Sequence, residues 1–411
     1  MRQAIIASLL LVSTSDLSAQ SVSQRGFIEG GLVVFPQVAP NDTKRVIGDA
    51  LFREELFLRP AGWIQFAAGL DLRANSHDQV EEEWRLDFED RGVLRPRAAV
   101  RRLAATITAG RVTLDVGKQF IRWGRADVLN PTDRFAPRDF LNVIDADFLP
   151  VLAVRPSIRI GQEAFEVVWV PQLTPSRMPL LDQRWTVLPP EAAGISIESG
   201  SADFSQRSQY GVRWSHTGSR LESSLSYFDG LNHLPNIELR TLSSPTEFEL
   251  TRVYPALRTY GGDVAIPTGW ITMKVEAAYF ISPSSTSDTD KYVLYVAEIE
   301  RQVGEWTLVA GYAGEWVRSS SNSIAFAPDR GIARSLLARA YYTVDPRRTV
   351  AVESAVRQNG NGLYVKGEYS EAMGQHWRLT VKGVAIAGDD DDFIGQYRRN
   401  SYGSMALRFS F

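Results

Sequence analysis

Cysteine is absent from all 411 residues, which excludes disulfides, thiolate metal sites and a cysteine nucleophile. Histidine occurs only four times, as His77, His216, His233 and His376, and none of these stand at a metal-ligand spacing such as i, i+4. His216 directly follows Ser215. Neighbours on a strand point to opposite faces, so this pair cannot by itself act as base and nucleophile. The sequence therefore points away from enzymatic chemistry, and no cofactor is expected. Lysine and arginine number 45 against 48 acidic residues, for a net charge of −3, which leaves no electrostatic footprint for nucleic acid. No run of 18 apolar residues occurs, so no helical membrane span is expected. The mainly apolar stretch Ala4 to Val12 lies between Arg2 and the small residues Ser18-Ala19. That is the tripartite form of a secretory signal, so residues 1–19 are expected to be an export segment and 20–411 the exported domain.

Beyond Gln20 the dominant signal has a period of two residues, the strand period. Trp377, Leu379, Val381 and Ala385 alternate with Arg378, Thr380 and Lys382, and Met405, Leu407, Phe409 and Phe411 alternate with Ala406, Arg408 and Ser410. On one face of a single run lie Trp306, Leu308, Ala310, Tyr312, Gly314 and Trp316. Many runs exceed the usual soluble strand of about 5–6 residues and match the roughly 9–11 that a tilted strand needs to cross a bilayer. Tight turns such as Pro60-Ala61, Gly110, Gly161-Gln162, Val303-Gly304 and Asp345-Pro346 alternate with longer loops near 36–47, 74–96, 123–150, 172–206, 230–257 and 317–332. The spacing predicts an all-β, antiparallel up-and-down transmembrane barrel of about 18 strands, with a range of about 16 to 20 because 230–257 could hide another hairpin. Short turns on one side and long loops on the other are how bacterial outer-membrane barrels are built.

If the apolar phase meets lipid, the other phase lines an interior. By that phase Lys274, Glu276, Glu298, Arg339, Glu353, Arg357, Lys366, Glu368, Arg378, Lys382 and Arg408 face the lumen, since each Arg or Lys on the lipid face would cost about 2–4 kcal/mol at the midplane. The run Asp389, Asp390, Asp391 and Asp392 in the last long loop is a candidate divalent-cation site, without an EF-hand pattern. The segments "SPSSTSDTD" and "VRSSSNSIAFAPDRG" read as flexible surface.

The densest charged stretch is "GKQFIRWGRADVLNPTDRFAPRDF", from Gly117 to Phe140. Asn130-Pro131 and Ala136-Pro137 break regular structure, and Arg122, Arg125, Arg134 and Arg138 could form fork-shaped pairs with Asp127, Asp133 and Asp139. Trp123 offers a flat face for an arginine, and Asn130 suits a side-chain turn. An ordered loop is expected over 123–150. It either bends into the lumen as a constriction, bonded to itself and to inward wall residues, or staples a surface loop to the rim.

The stretch resembles a motif of Gram-negative outer-membrane porin-like proteins, G-[KR]-Q-x-x-x-W-G-x-[AS]-D-x-x-N-P-x-D. Gly117, Lys118, Gln119, Trp123, Gly124, Asp127, Asn130, Pro131 and Asp133 match it. The ending "SMALRFSF" resembles the C-terminal targeting strand of outer-membrane proteins, carried by Leu407, Phe409 and Phe411. Alginate-export-type porins share the broad architecture. These resemblances imply a multi-pass protein of the Gram-negative outer membrane, in contact with its lipids and lipopolysaccharide. They also imply assembly by the barrel-assembly machinery through the last strand, and passive passage of small solutes. A closed barrel that serves as a structural or assembly partner in lipid or polysaccharide export is the other reading.

Overall fold

The computed structural model describes residues 21–187, 195–242, 247–283, 289–320 and 324–411. The expected export segment 1–19, and most of "SPSSTSDTD", lie outside them. The main sheet joins 19 segments, of which Leu86–Asp87 is a two-residue parallel addition, so 18 strands form the wall. They are β1 Ser21–Val34, β2 Val46–Ala61, β3 Ile64–Asn75, β4 Ala98–Ala109, β5 Val112–Gln119, β6 Val151–Ile160, β7 Glu163–Val170, β8 Gln209–Thr217 and β9 Glu222–Leu231. The second half comprises β10 Ala256–Pro267, β11 Thr272–Pro283, β12 Thr289–Val303, β13 Trp306–Ser319, β14 Ser335–Asp345, β15 Arg348–Arg357, β16 Gly362–Met373, β17 Trp377–Gly388 and β18 Tyr402–Ser410.

Each wall strand pairs antiparallel with its neighbours in sequence, and β1 closes the ring on β18, with Phe27 opposite Ser410 and Val34 opposite Gly403. Closure leaves no sheet edge, which an open sheet in lipid could not tolerate. The tight turns recur on one side, where Gly110 and Gly161 take positive φ (61° and 63°) that residues with a Cβ rarely adopt. The long loops and the short link 358–361 lie on the other. Outward positions are large and apolar, among them Ile28, Leu56, Leu103, Leu225, Val275, Ile299, Leu336, Val352, Val381 and Met405, all exposed. Trp306 and Trp316 stand exposed at opposite ends of β13, as interfacial aromatics do.

The sequence left 230–257 open. It does form a hairpin, Asn236–Thr241 with Glu247–Val253, but outside the barrel. Ser196–Asp203 adds parallel to it, and Ile324–Ala325 pairs on its other side. Residues 324–331 are not loose surface as expected. Phe326 packs edge-on against Phe140 with ring centres 5.4 Å apart, and Pro328–Gly331 is a short helix whose Asp329 meets Arg134 at 3.6 Å.

Wall polarity gives a direct check. Val352→Arg, at the middle of β15 on the apolar face, is expected to lower folding free energy by about 2–4 kcal/mol, read by urea titration in lipid vesicles. Arg339→Gln, on the opposite phase of β14, is expected to stay within about 0.5 kcal/mol.

Candidate functional site

Strand β5 ends on the charged stretch, and its glycines are positional. Gly117 has φ of 121°, and a Cβ there would collide with the Leu103 carbonyl; at Gly124 it would strike Asn130. The chain then leaves the wall at Phe120 and crosses to the opposite side of the interior. There a carboxylate on the inward face of β11 receives it. Glu276, only 1% exposed, accepts the backbone N–H groups of Arg125 (2.7 Å), Ala126 (3.0 Å) and Thr132 (2.9 Å), and the Thr132 hydroxyl (2.8 Å). Glu298 on β12 accepts those of Asp127 (2.9 Å) and Val128 (3.4 Å). Within the loop Asp133 accepts from the N–H groups of Trp123 (2.5 Å) and Gly124 (2.6 Å). Ala126 and Leu129 pack onto inward Val296, Ala313, Leu337, Ala355 and Val384 of β12–β15 and β17. Loop 120–150 therefore lies against the inward face of the wall.

Of the expected pairs inside the loop, only Arg122 with Asp133 (3.3 Å) forms, and Arg122 also reaches Asn130 at 3.4 Å. The other charges turn outward from the loop to partners that local sequence could not suggest. Arg125 pairs with Asp263 (2.6 Å) and Glu222, Asp127 with Lys274 (2.8 Å), and Arg134 with Asp329. Asp139 is held by Arg95 (2.8 Å) and Arg177 (3.3 Å). Trp123 carries no arginine. It is buried edge-on against Phe135 and donates its Nε1–H to Glu166, while Arg122 and Arg138 stack instead on Phe148 at 4.1 and 4.5 Å.

Apart from Arg339, the wall residues named from phase meet partners within the ring or on the loops. Lys366 and Lys382 approach Asp145 of the loop at 3.6 and 3.7 Å, and also Glu353 and Glu368. Lys274 bridges Asp127 and Glu300. Arg357 pairs with Asp392 (3.1 Å), Arg378 donates to Ser370 (3.0 Å), and Arg408 pairs with Glu29 (2.7 Å). Arg339 is exposed. The four aspartates 389–392 do not converge. Asp392 accepts the N–H groups of Ile394 and Gly395 besides Arg357, and Asp390 pairs with Arg398. Among the described residues no group of three or more His, Asp or Glu could hold a metal ion. Leu407 and Phe411 are exposed on the outer face, and Phe409 packs on Trp377 at 4.9 Å.

Two features escaped the sequence reading. The first is a buried ion chain that joins four segments: Lys118–Asp90 (2.7 Å), Asp90–Arg177 (3.0 Å), Arg177–Asp139 (3.3 Å) and Asp139–Arg95 (2.8 Å). Burial pushes the Asp139 carboxyl upward, but Arg95 and Arg177 outweigh it and hold it well below the ordinary carboxylate value. The second is an arginine-rich wall on β1–β4 and β18. Arg53 grips Asp71 with two hydrogen bonds (2.7 and 2.8 Å), and Arg73 meets the same carboxylate at 3.1 Å. A bulge in β4 between the partners of Gly69 and Leu70 leaves Arg101 unpaired in the ladder. Consecutive Arg101 and Arg102 then both lie over the Phe120 ring, at 4.7 and 5.7 Å. Phe27 carries Arg53 and Arg408. The phase of β2 and β3 could have revealed Arg53 and Arg73, but alternation alone could not reveal the bulged Arg101. A cavity of about 400 Å³ lies here, lined in part by Phe27, Arg53, Arg73, Arg95, Asp145, Asp147, Lys382 and Arg408.

Ser176 and His233 are brought together, with Oγ to Nδ1 at 2.8 Å, both buried. Ser176 Oγ already accepts the Arg138 N–H (2.8 Å), and the charges acting on the ring are Arg134 and Arg138 rather than a carboxylate. Among the described residues no carboxylate orients the ring, as a nucleophile–base pair requires. The pair instead ties loop 171–208 to loop 232–255, reinforced by Ser176 N–H donating to the His233 carbonyl (2.8 Å). Burial first, then the two arginines, pushes the His233 pKa well below 6.5.

Two outcomes follow from this geometry. Glu276→Ala is expected to leave three buried N–H groups without acceptors, at about 1–3 kcal/mol each. Amide protection at 125–132 should fall sharply while the wall strands stay protected, as read by hydrogen exchange. For His233 the unfolded state takes up a proton below pH 6.5 while the folded state does not. Its contribution is therefore complete above pH 6.5 and falls by about 1.4 kcal/mol per pH unit below it. Asp139, whose folded value is depressed, keeps its contribution throughout this range, because the loss begins only below the ordinary carboxylate value of about 3.9. Proteolysis of the outer loops should accelerate between pH 7.5 and 5, and His233→Gln should abolish that difference.

No protein-family model matches the chain, and neither does any curated protein sequence. Solved structures do match. A BenF-like porin from Pseudomonas fluorescens is 10% identical, covers 96% of this chain and 98% of its own, and gives a TM-score of 0.57. OpdQ from Pseudomonas aeruginosa is 10% identical over 96% and 99%, with a TM-score of 0.54. OccK2 (OpdF) of Pseudomonas aeruginosa, solved with glucuronate, is 11% identical over 96% and 98%, with a TM-score of 0.53. These neighbours do not support the alginate-export-type likeness drawn from the sequence. The chain shares the fold of these structures, which in this protein is a closed antiparallel barrel of 18 strands.

Proposed function

We propose that the chain is a passive outer-membrane channel for small solutes, with loop 120–150 as its constriction and a preference for anions such as small carboxylates. The observation that carries this reading is the split interior. On the β9–β12 side the acidic residues Glu222, Asp263, Glu276 and Glu298 are consumed in holding the loop. On the β18–β4 side the cavity is lined by Arg53, Arg73, Arg95, Arg408 and Lys382, while of its acids Glu29 is held by Arg408, Asp49 by Asn75 and Asp145 by Lys366 and Lys382. A solute path along the second side meets positive charge, which raises the local concentration of anions. The glucuronate complex of OpdF is consistent with that solute class. Passage down a gradient involves no bond chemistry, so the reading requires neither a cofactor nor catalysis. The same reading places the outer face in contact with outer-membrane lipid and lipopolysaccharide, and assigns Leu407, Phe409 and Phe411 to recognition by the barrel-assembly machinery.

Planar-bilayer recording tests it. Discrete steady openings with a reversal potential on the anion side of a KCl gradient are expected. Replacing both Arg53 and Arg101 with Gln should move that potential toward zero, and shortening 140–147 should enlarge the unit conductance. Silence from folded protein, with or without the loop, would favour a closed barrel.

A further inference from the structure

The Asp147 carboxylate has charged neighbours but, among the described residues, no bonded partner. The short ladder Arg138–Asp139 with Asp147–Phe148 sets Asp139 directly opposite Asp147. Residues so placed share one face with Cβ atoms about 4.5–5.5 Å apart, and like charges there are destabilising. Asp139 is compensated by Arg95 and Arg177. Among the described residues the Asp147 carboxylate has no hydrogen bond or ion pair, and the residue is exposed within the cavity that Arg53, Arg73, Arg95 and Arg408 line. It acts electrostatically on Arg53, Arg95 and Arg101 without touching them. Those arginines are restrained elsewhere: Arg53 on Asp71, Arg95 on Asp139, Arg101 over Phe120. A carboxylate kept for structure would have closed onto one of them.

We propose that Asp147 is a specificity-determining residue, a carboxylate tethered to the constriction loop that weakens the field of the arginine cluster and competes with the carboxylate of a passing solute. Its effect is to keep an anion's hold on the cluster loose enough for release. The proposal rests on the reading of the arginine side as the solute path. Without Asp147 an anionic solute would be attracted more strongly and released more slowly.

The experiment compares full-length wild type, Asp147→Asn, Asp147→Ser and Asp145→Asn in planar bilayers. Asp145→Asn makes the same charge change on the same loop, but its carboxylate is committed to Tyr402, Lys366 and Lys382. Conductance in about 1 M KCl, where the Debye length is roughly 3 Å, reports pore geometry, and variants that keep the wild-type value there are compared. Having Ser as well as Asn at 147 guards against one of them misfolding. The readouts are the anion-over-cation permeability ratio in dilute KCl and the half-blocking concentration of glucuronate, with glucose as the neutral control. Asp147 variants are expected to raise the ratio and tighten the glucuronate block several-fold, with glucose unaffected and Asp145→Asn clearly weaker in effect. Equal effects at 145 and 147, or no effect at 147 in a channel that prefers anions, would overturn the proposal and leave the channel reading standing. A wild-type channel without anion preference would overturn both, and the wild-type trace alone would reveal it.

Discussion

A loop that runs through the inside of a barrel must find acceptors for its own backbone N–H groups, and this demand governs the interior. An unsatisfied buried donor costs about 1–3 kcal/mol, and the span 123–132 presents seven such groups to Glu276, Glu298 and Asp133. Glu276 takes three, Glu298 two and Asp133 two, all as charge-assisted acceptors. Two of these carboxylates belong to the wall, so the backbone of the loop's first part is seated on β11 and β12. The acids on that side are thereby used up, and Arg125 and Lys274 absorb much of the remaining negative charge. What stays open is the opposite side, where Arg53, Arg73 and Arg101 share the single carboxylate of Asp71.

The buried chain from Lys118 to Arg95 plays a different part. Replacing buried ion pairs with apolar packing is often neutral or stabilising, so such a chain is weak evidence for stability. We attribute its value here to geometry. Lys118 is the last but one residue of β5, Asp90 and Arg95 come from the second long loop, Asp139 from the third and Arg177 from the fourth. One alternating row of charges thus fixes where three loops stand relative to the wall. It also fixes where the ladder bearing Asp147 projects.

How much of this the sequence carried depends on the range of each interaction. The 18 strands and the alternation of turns and loops were legible, because strand phase and turn chemistry are local. So was the order within "GKQFIRWGRADVLNPTDRF", since Asn130, Pro131 and Asp133 form a local turn in which the Asp133 N–H donates to the Asn130 carbonyl at 3.1 Å. The partners of its charges were not legible. Arg125 finds Asp263 across 138 positions of chain, and the Glu276 contacts span 144 to 151. Closing the barrel makes those residues neighbours, and nothing in a single sequence encodes that pairing. Trp123 misled for the same reason: a flat ring suits an arginine, but its Nε1–H found Glu166 on β7 and its face was packed away.

Alternation assigns one inward side chain for every two residues, which limits how much charge a strand can bring to the lumen. The β4 bulge lifts that limit, since an extra residue lets Arg101 and Arg102 address the same ring. That ring belongs to Phe120, the first residue after β5 and the root of the loop. Arginine placement and loop placement are therefore coupled through one side chain. The loop leaves the wall beneath the arginines, anchors on the acids of the far side, and returns through Asp145 and Asp147 to the cationic side. Its course thus commits the acids of β9–β12 to its own N–H groups and to Arg125, and leaves the arginines of β18–β4 lining the cavity.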